Sequence, residues 1–112
     1  MTDLEFKKVD DYLDNEGTDR LKTHGFTVDD VDLETYIFSM DLDDAGVANI
    51  TFTNYRNEEW SSVKYPKEYV TIVGIIDDFN MDEDPKQFFG ETAYNYTEFE
   101  KYFNKLIDYL EN

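Results

Sequence analysis

Apolar and polar positions divide the chain into blocks of different period. From Thr35 to Leu42 the period is two: Tyr36, Phe38, Met40 and Leu42 alternate with Thr35, Ile37, Ser39 and Asp41. One face is apolar, which is the pattern of a half-buried strand. Val47 to Tyr55 repeats it, with Ala48, Ile50 and Phe52 on one face and Asn49, Thr51, Thr53 and Tyr55 on the other. Between the two blocks, Asp43-Asp44-Ala45-Gly46 is a turn whose glycine tolerates a positive φ, so the pair predicts a hairpin. Tyr69 to Ile76 is the one continuous apolar run. Its length and β-branched content predict a central strand buried on both faces.

The two ends of the chain have helical period. Thr2 and Glu5 have capping-box spacing, and Phe6, Val9 and Leu13 follow with Leu4 and Tyr12 nearby. This predicts a helix from Asp3 to Asn15, ended by Gly17, and a short turn from Thr18 to His24 stopped by Gly25. Phe26 to Asp32 reads as a loop or short edge strand. Arg56 to Glu68 is a long polar loop that holds Trp60 and Tyr65 and is broken by Pro66; loops of this size in small domains are often functional. Asp77 to Pro85 is an acidic loop, and Pro85 to Gly90 fits the start of a short helix. Thr97 and Glu100 form a second capping-box pair. Phe99, Tyr102, Phe103, Leu106, Ile107 and Leu110 then make a helical stripe, predicting a helix from Glu98 to Glu111 that packs on the sheet. The expected fold is a single α+β domain, residues 1–112, with a small, mainly antiparallel sheet packed by N- and C-terminal helices.

Composition adds two points. Apolar residues are 40% of the chain, including nine Phe, nine Tyr and one Trp, and large rings bury enough area to support a core. Against that stand 27 Asp and Glu and only 10 Lys and Arg, a net charge of −17. Self-repulsion at this density opposes the compact state. It argues against nucleic acid or an anionic membrane as partner and makes a basic protein surface the natural one. A halophilic source or an acidic housekeeping domain fits the same charge. There is no cysteine, hence no disulfide or thiol chemistry. The opening Met1-Thr2-Asp3-Leu4-Glu5 has neither a basic region nor an apolar run, so no signal peptide is expected and a cytoplasmic location is.

Candidate chemistry is sparse. The single histidine, His24, precedes Gly25 and reads as a helix-end residue. No nucleophile elbow, Walker loop or Gly-x-Gly-x-x-Gly occurs, so no catalytic residue, nucleotide or cofactor is assigned. Asp41-x-Asp43-x-x-Gly46 resembles the start of an EF-hand loop, but its twelfth position is Phe52. Asp78-x-Asn80-x-Asp82 has Glu83 at the sixth position and Phe89 at the twelfth. Neither makes a dedicated calcium site. Adjacent carboxylates could serve acid–base catalysis, but with 27 acids such pairs arise without it, and no enzyme activity is expected.

The carboxylates are better treated as a surface. They cluster at Asp10, Asp11 and Asp14; at Asp29, Asp30, Asp32 and Glu34; at Asp41, Asp43 and Asp44; and at Asp77, Asp78, Asp82, Glu83 and Asp84. Residues two apart on a strand stand about 6.6 Å apart on one face, so rows of carboxylates can occupy positions that phosphates would take. Charge alone gives weak specificity, and tight binding needs apolar anchors. Trp60, Tyr65, Tyr55, Tyr94 and Tyr96 are candidates; rings that merely cover the edge of the core fit the same positions. The residues assigned to partner binding are Asp43, Asp44, Trp60, Tyr65, Asp77, Asp78, Asp82, Glu83 and Asp84. A charge run that is only a solvated face is the plainer reading of the same clusters.

In size and composition the whole chain resembles the phage-encoded acidic inhibitors of host defence: DNA mimics, anti-restriction proteins, anti-CRISPR proteins and uracil-DNA glycosylase inhibitors. That resemblance implies an inhibitor of a DNA-acting enzyme, first of all an anti-CRISPR protein on the basic groove of a Cas nuclease. An immunity protein that neutralises a nuclease toxin would use the same electrostatics.

Overall fold

The computed structural model describes residues 1–32, 34–42, 46–78 and 84–112, the side chain of Asp78 excepted. The N-terminal segment folds as α1 (Asp3–Tyr12), a π turn (Leu13–Gly17) and α2 (Thr18–Thr23) in succession. Thr2 and Glu5 form the expected capping box. Gly17 does not end the helix as expected. It lies buried inside the π turn, where a Cβ would meet the Tyr12 carbonyl at 3.0 Å and the Tyr12 ring at 3.2 Å. Glycine here makes room for a neighbouring ring and leaves the helical path intact. The stop comes at Gly25, which has φ +90°, a conformation that suits glycine.

Five strands follow, β1 (Thr27–Val31), β2 (Thr35–Asp41), β3 (Gly46–Tyr55), β4 (Tyr69–Asp78) and β5 (Lys86–Ala93), and then α3 (Tyr96–Glu111). They form one sheet in sequence order, antiparallel throughout. The predicted hairpin is β2–β3, with Tyr36 opposite Phe52 and Phe38 opposite Ile50. β1 is an edge strand.

Three further expectations change. The apolar run Tyr69–Ile76 is an interior strand, but the middle of the sheet is β3, and the run is buried on one face. Val70, Ile72 and Gly74 are buried while Thr71, Val73 and Ile75 are half-buried. Continuous hydrophobicity did not separate the two faces. Pro85–Gly90 is not helical: β5 starts at Lys86 and pairs with β4. There a sheet partner with an open backbone edge outweighs weak local propensity. Gly74 contributes to this pairing, because the Phe88 ring lies 2.5 Å from where a Cβ would stand. Finally, α3 begins two residues before its expected start. Asn95, not Thr97, caps it, accepting a hydrogen bond from the Glu98 N–H at 2.8 Å, while the Glu98 carboxylate accepts one from the Tyr94 N–H.

Helices lie on one face of the sheet only. Phe6, Val9, Leu13, Phe99, Phe103 and Leu106 come from the helical layer and meet Phe38, Ile50, Phe52, Val70 and Ile72 from the sheet. Phe52 joins the two layers: its ring is 5.8 Å from Phe38 and 5.8 Å from Phe103, and 6.3 Å from Phe99. The shortest dimension of the molecule is 20 Å, the thickness of one sheet and one helix layer at roughly 10 Å each. Glu5 ties the starts of the terminal helices together, accepting from the Tyr96 N–H at 2.6 Å.

Candidate functional site

A cleft of about 520 Å³ opens at the end of the sheet where β3 finishes and β4 begins. Asp10, Asp32, Glu34, Arg56, Glu58 and Trp60 line it. Each arrives by a different route. Asp10 projects from α1. Asp32 and Glu34 flank the β1–β2 turn, which Asp32 builds itself: its Oδ1 accepts from the N–H groups of Glu34 and Thr35, both at 2.8 Å. Those two bonds hold the Asp32 carboxyl below its usual pKa. Arg56, Glu58 and Trp60 belong to the long loop. That loop is ordered by Asn57, whose side chain accepts from the Tyr65 N–H at 2.7 Å and donates to the Tyr65 carbonyl at 3.1 Å, and whose N–H donates to Glu68 at 2.8 Å.

The cleft is acidic: four carboxylates against one guanidinium. Arg56 is engaged in ion pairs with Asp3 (3.3 Å) and Glu58 (3.6 Å) and lies 5.0 Å from the Phe6 ring centroid. Burial pushes the Asp10 carboxyl up, against the opposing pull of Asn54 and Arg56. The Asn54 amide, the one buried polar side chain among the described residues, donates to Asp10 at 3.3 Å. Burial, with the nearby Asp14, Asp10 and Asp11 carboxylates, raises the Tyr36 phenol. An incoming cation would relieve the penalty on Asp10. Trp60 is 77% exposed, and an indole face beside carboxylates suits a guanidinium or ammonium group.

A second feature sits on the other side of the same sheet end. Tyr65 packs edge-on against Tyr55 at 5.5 Å, Tyr55 stacks on Tyr69 at 4.8 Å, and Tyr69 reaches Tyr94 at 5.5 Å. These four rings form a ledge across the helix-free face. Tyr96 packs against the core, as a ring covering its edge does.

The residues singled out from the sequence fall in two places. Trp60 and Tyr65 share the loop at this end. Asp77 and Asp78 close β4 at the opposite end, and exposed Asp84 precedes β5 there. Eight residues of strand separate Tyr69 from Asp77, about 27 Å. Asp43, Asp44, Asp82 and Glu83 lie outside the described residues, with Ala45 of the turn and the middle of both EF-hand-like stretches; Gly46 has the positive φ expected of it, +155°, and Asp41, Phe52 and Phe89 are strand residues. Asp10, Asp32 and Glu34 stood out in the sequence only as separate acidic clusters; the fold joins them. Glu58 and Arg56 carried no signal beyond their place in a long loop. Among the described residues no three acidic or histidine side chains converge on a metal-sized site, and no helix is long and apolar enough to cross a membrane. No protein-family model, curated protein or solved structure matches the chain.

Proposed function

We propose that the chain is an acidic protein inhibitor that docks on the basic, nucleic-acid-binding surface of a DNA-acting enzyme and takes the place of nucleic acid there. A Cas effector is the first candidate, which would make the chain an anti-CRISPR protein. The observation that carries the reading is the exposed Trp60 on the wall of a cleft holding Asp10, Asp32, Glu34 and Glu58. An apolar anchor ringed by carboxylates supplies both the steering and the hot spot that a tight interface with a basic surface needs. The net charge of −17 extends the attraction beyond the cleft and speeds encounter at low salt.

The test is DNA cleavage by a purified, guide-loaded Cas nuclease titrated with the chain. Inhibition is expected, with at least a tenfold weaker effect for a variant combining Asp32→Asn, Glu34→Gln, Glu58→Gln and Trp60→Ala. Full cleavage at a large excess of the chain, for Cas nucleases and for restriction endonucleases alike, would reject the proposal.

A further inference from the structure

A third of the chain is charged, yet the middle of one broad surface is not: its acids stand at the margins, Asp30 on the edge strand beside Ile37 and Asp41 and Asp77 beside Val47. On the helix-free face of the sheet the cross-strand rows read Thr35–Thr53–Thr71–Thr92 and Ile37–Thr51–Val73–Gly90. The threonines, Ile37 and Val73 in these rows are half-buried by their neighbours, and Gly90 is exposed. Ile37, Val73 and Ile75 are absent from the apolar residues packed on the core. Most of the acids that would attract a basic partner lie elsewhere, so the middle of this face calls for a different occupant.

We infer that the occupant is a second copy of this chain, packed sheet against sheet around a two-fold axis. The register supplies the self-complementarity such an interface requires. Tyr55 pairs with Tyr69, Thr51 with Val73, and Val47 with Asp77. Thr51 and Val73 therefore stand midway, four residues from the tyrosine row and four from the row holding Asp77. An axis running along the Thr51–Val73 row reverses the strands and carries the tyrosine ledge of one copy over the aspartate end of the other. The Tyr69 hydroxyl then donates to the second copy's Asp77. Lys67, with Nζ 5.4 Å from the Tyr94 ring centroid, approaches the same acid. Twist sets the two sheets near the usual aligned packing angle of about 30°.

The size of the face sets the strength. Four strands at about 4.8 Å spacing and eight residues of length give about 500 Å² per copy. The total of about 1,000 Å² is at the lower bound for a specific interface. Two copies of −17 also repel. The dimer is therefore weak, and salt strengthens it, the reverse of the dependence expected for a basic partner.

Sedimentation velocity of the full chain, followed over concentration at about 0.1 M and about 1 M NaCl, tests this, because the Debye length falls from about 10 Å to about 3 Å between them. A monomer–dimer equilibrium whose association constant rises at least tenfold in high salt is expected. Val73→Glu should abolish it while circular dichroism shows an unchanged fold. Tyr69→Phe and Asp77→Asn keep the backbone pairing, so they serve even if Val73→Glu unfolds. Each should weaken the dimer several-fold, and together no more than either alone. A monomer at all concentrations in high salt overturns the inference, as does a dimer insensitive to these three substitutions. Nuclease inhibition does not enter this measurement, so the fate of the proposed function is read separately.

Discussion

Ile72 and Val73 are neighbours in β4 with opposite surroundings, and replacing each by aspartate gives opposite outcomes. Ile72 is fully buried and Val73 is half-buried on the open face. Ile72→Asp loses about 1.5–3 kcal/mol of side-chain burial. A carboxyl there, fully desolvated and unpaired, has its pKa raised by roughly 3–5 units and is protonated in the fold, and taking up that proton at pH 7 costs about 4 kcal/mol more. The sum, about 5–7 kcal/mol, reaches the low end of the range of about 6–17 kcal/mol expected for the whole of a 112-residue domain. The variant should be largely unfolded at pH 7 and regain structure on mild acidification, as the carboxyl is protonated. Val73→Asp leaves its carboxylate in water and should cost about 1 kcal/mol, a strand-propensity effect. Urea titrations followed by far-UV circular dichroism compare the two at pH 7. A cooperative transition for Ile72→Asp within about 2 kcal/mol of the parent would refute the one-sided sheet. So would equal damage from both substitutions.

Three further substitutions probe the supports of the site. Asp10→Asn should raise the melting temperature at pH 7 by about 2–5 °C, because burial raises the carboxyl's pKa in the fold and its charge therefore opposes folding; the gain should vanish in acid, where Asp10 is protonated in both states. Glu5 behaves in the opposite sense. The Tyr96 and Thr2 N–H groups lower its pKa below 4.5, so its contribution is present above that value and lost as pH falls through the folded-state pKa. Urea midpoints for Glu5→Gln should fall below the parent's at pH 7, and the gap should close as the solution is acidified below pH 4.5. Gly25→Ala forces a side chain into φ +90° and against the Met40 sulfur at 2.8 Å; a loss of about 1–2 kcal/mol in urea denaturation is expected, and no loss would show that the helix stop relaxes freely.

Much of the fold was legible because its signals were local. The period-two blocks around Phe38 and Ile50 and the stripe from Phe99 to Leu110 each bury one face, and each formed as read. Errors arose where the deciding partner was distant in sequence. The packing of Phe88 over Gly74 and the pairing of β5 with β4 are invisible to a local reading of Pro85–Gly90. Gly17 is the local exception: it read as a terminator because the π turn that sets it against the Tyr12 ring, five residues back, departs from regular helical spacing. For Tyr69–Ile76, hydrophobicity on both faces hid a free surface, since Val73 and Ile75 are as apolar as Ile72. The cleft was legible only in fragments: loop length and composition pointed to Trp60, but nothing local brings Asp10 of α1 to Glu34 of the β1–β2 turn and Glu58 of the loop.

The proposed inhibitor occupies the place of nucleic acid on a basic enzyme surface. The most direct measurement is displacement of a fluorescent target duplex from a guide-loaded Cas nuclease by the chain, read as fluorescence anisotropy over a range of salt. Full displacement is expected, one chain per enzyme, with an affinity that falls steeply as salt rises and weakens again when the carboxylates around Trp60 are neutralised. A stable ternary complex of nuclease, duplex and chain, with the duplex signal unchanged, would contradict it.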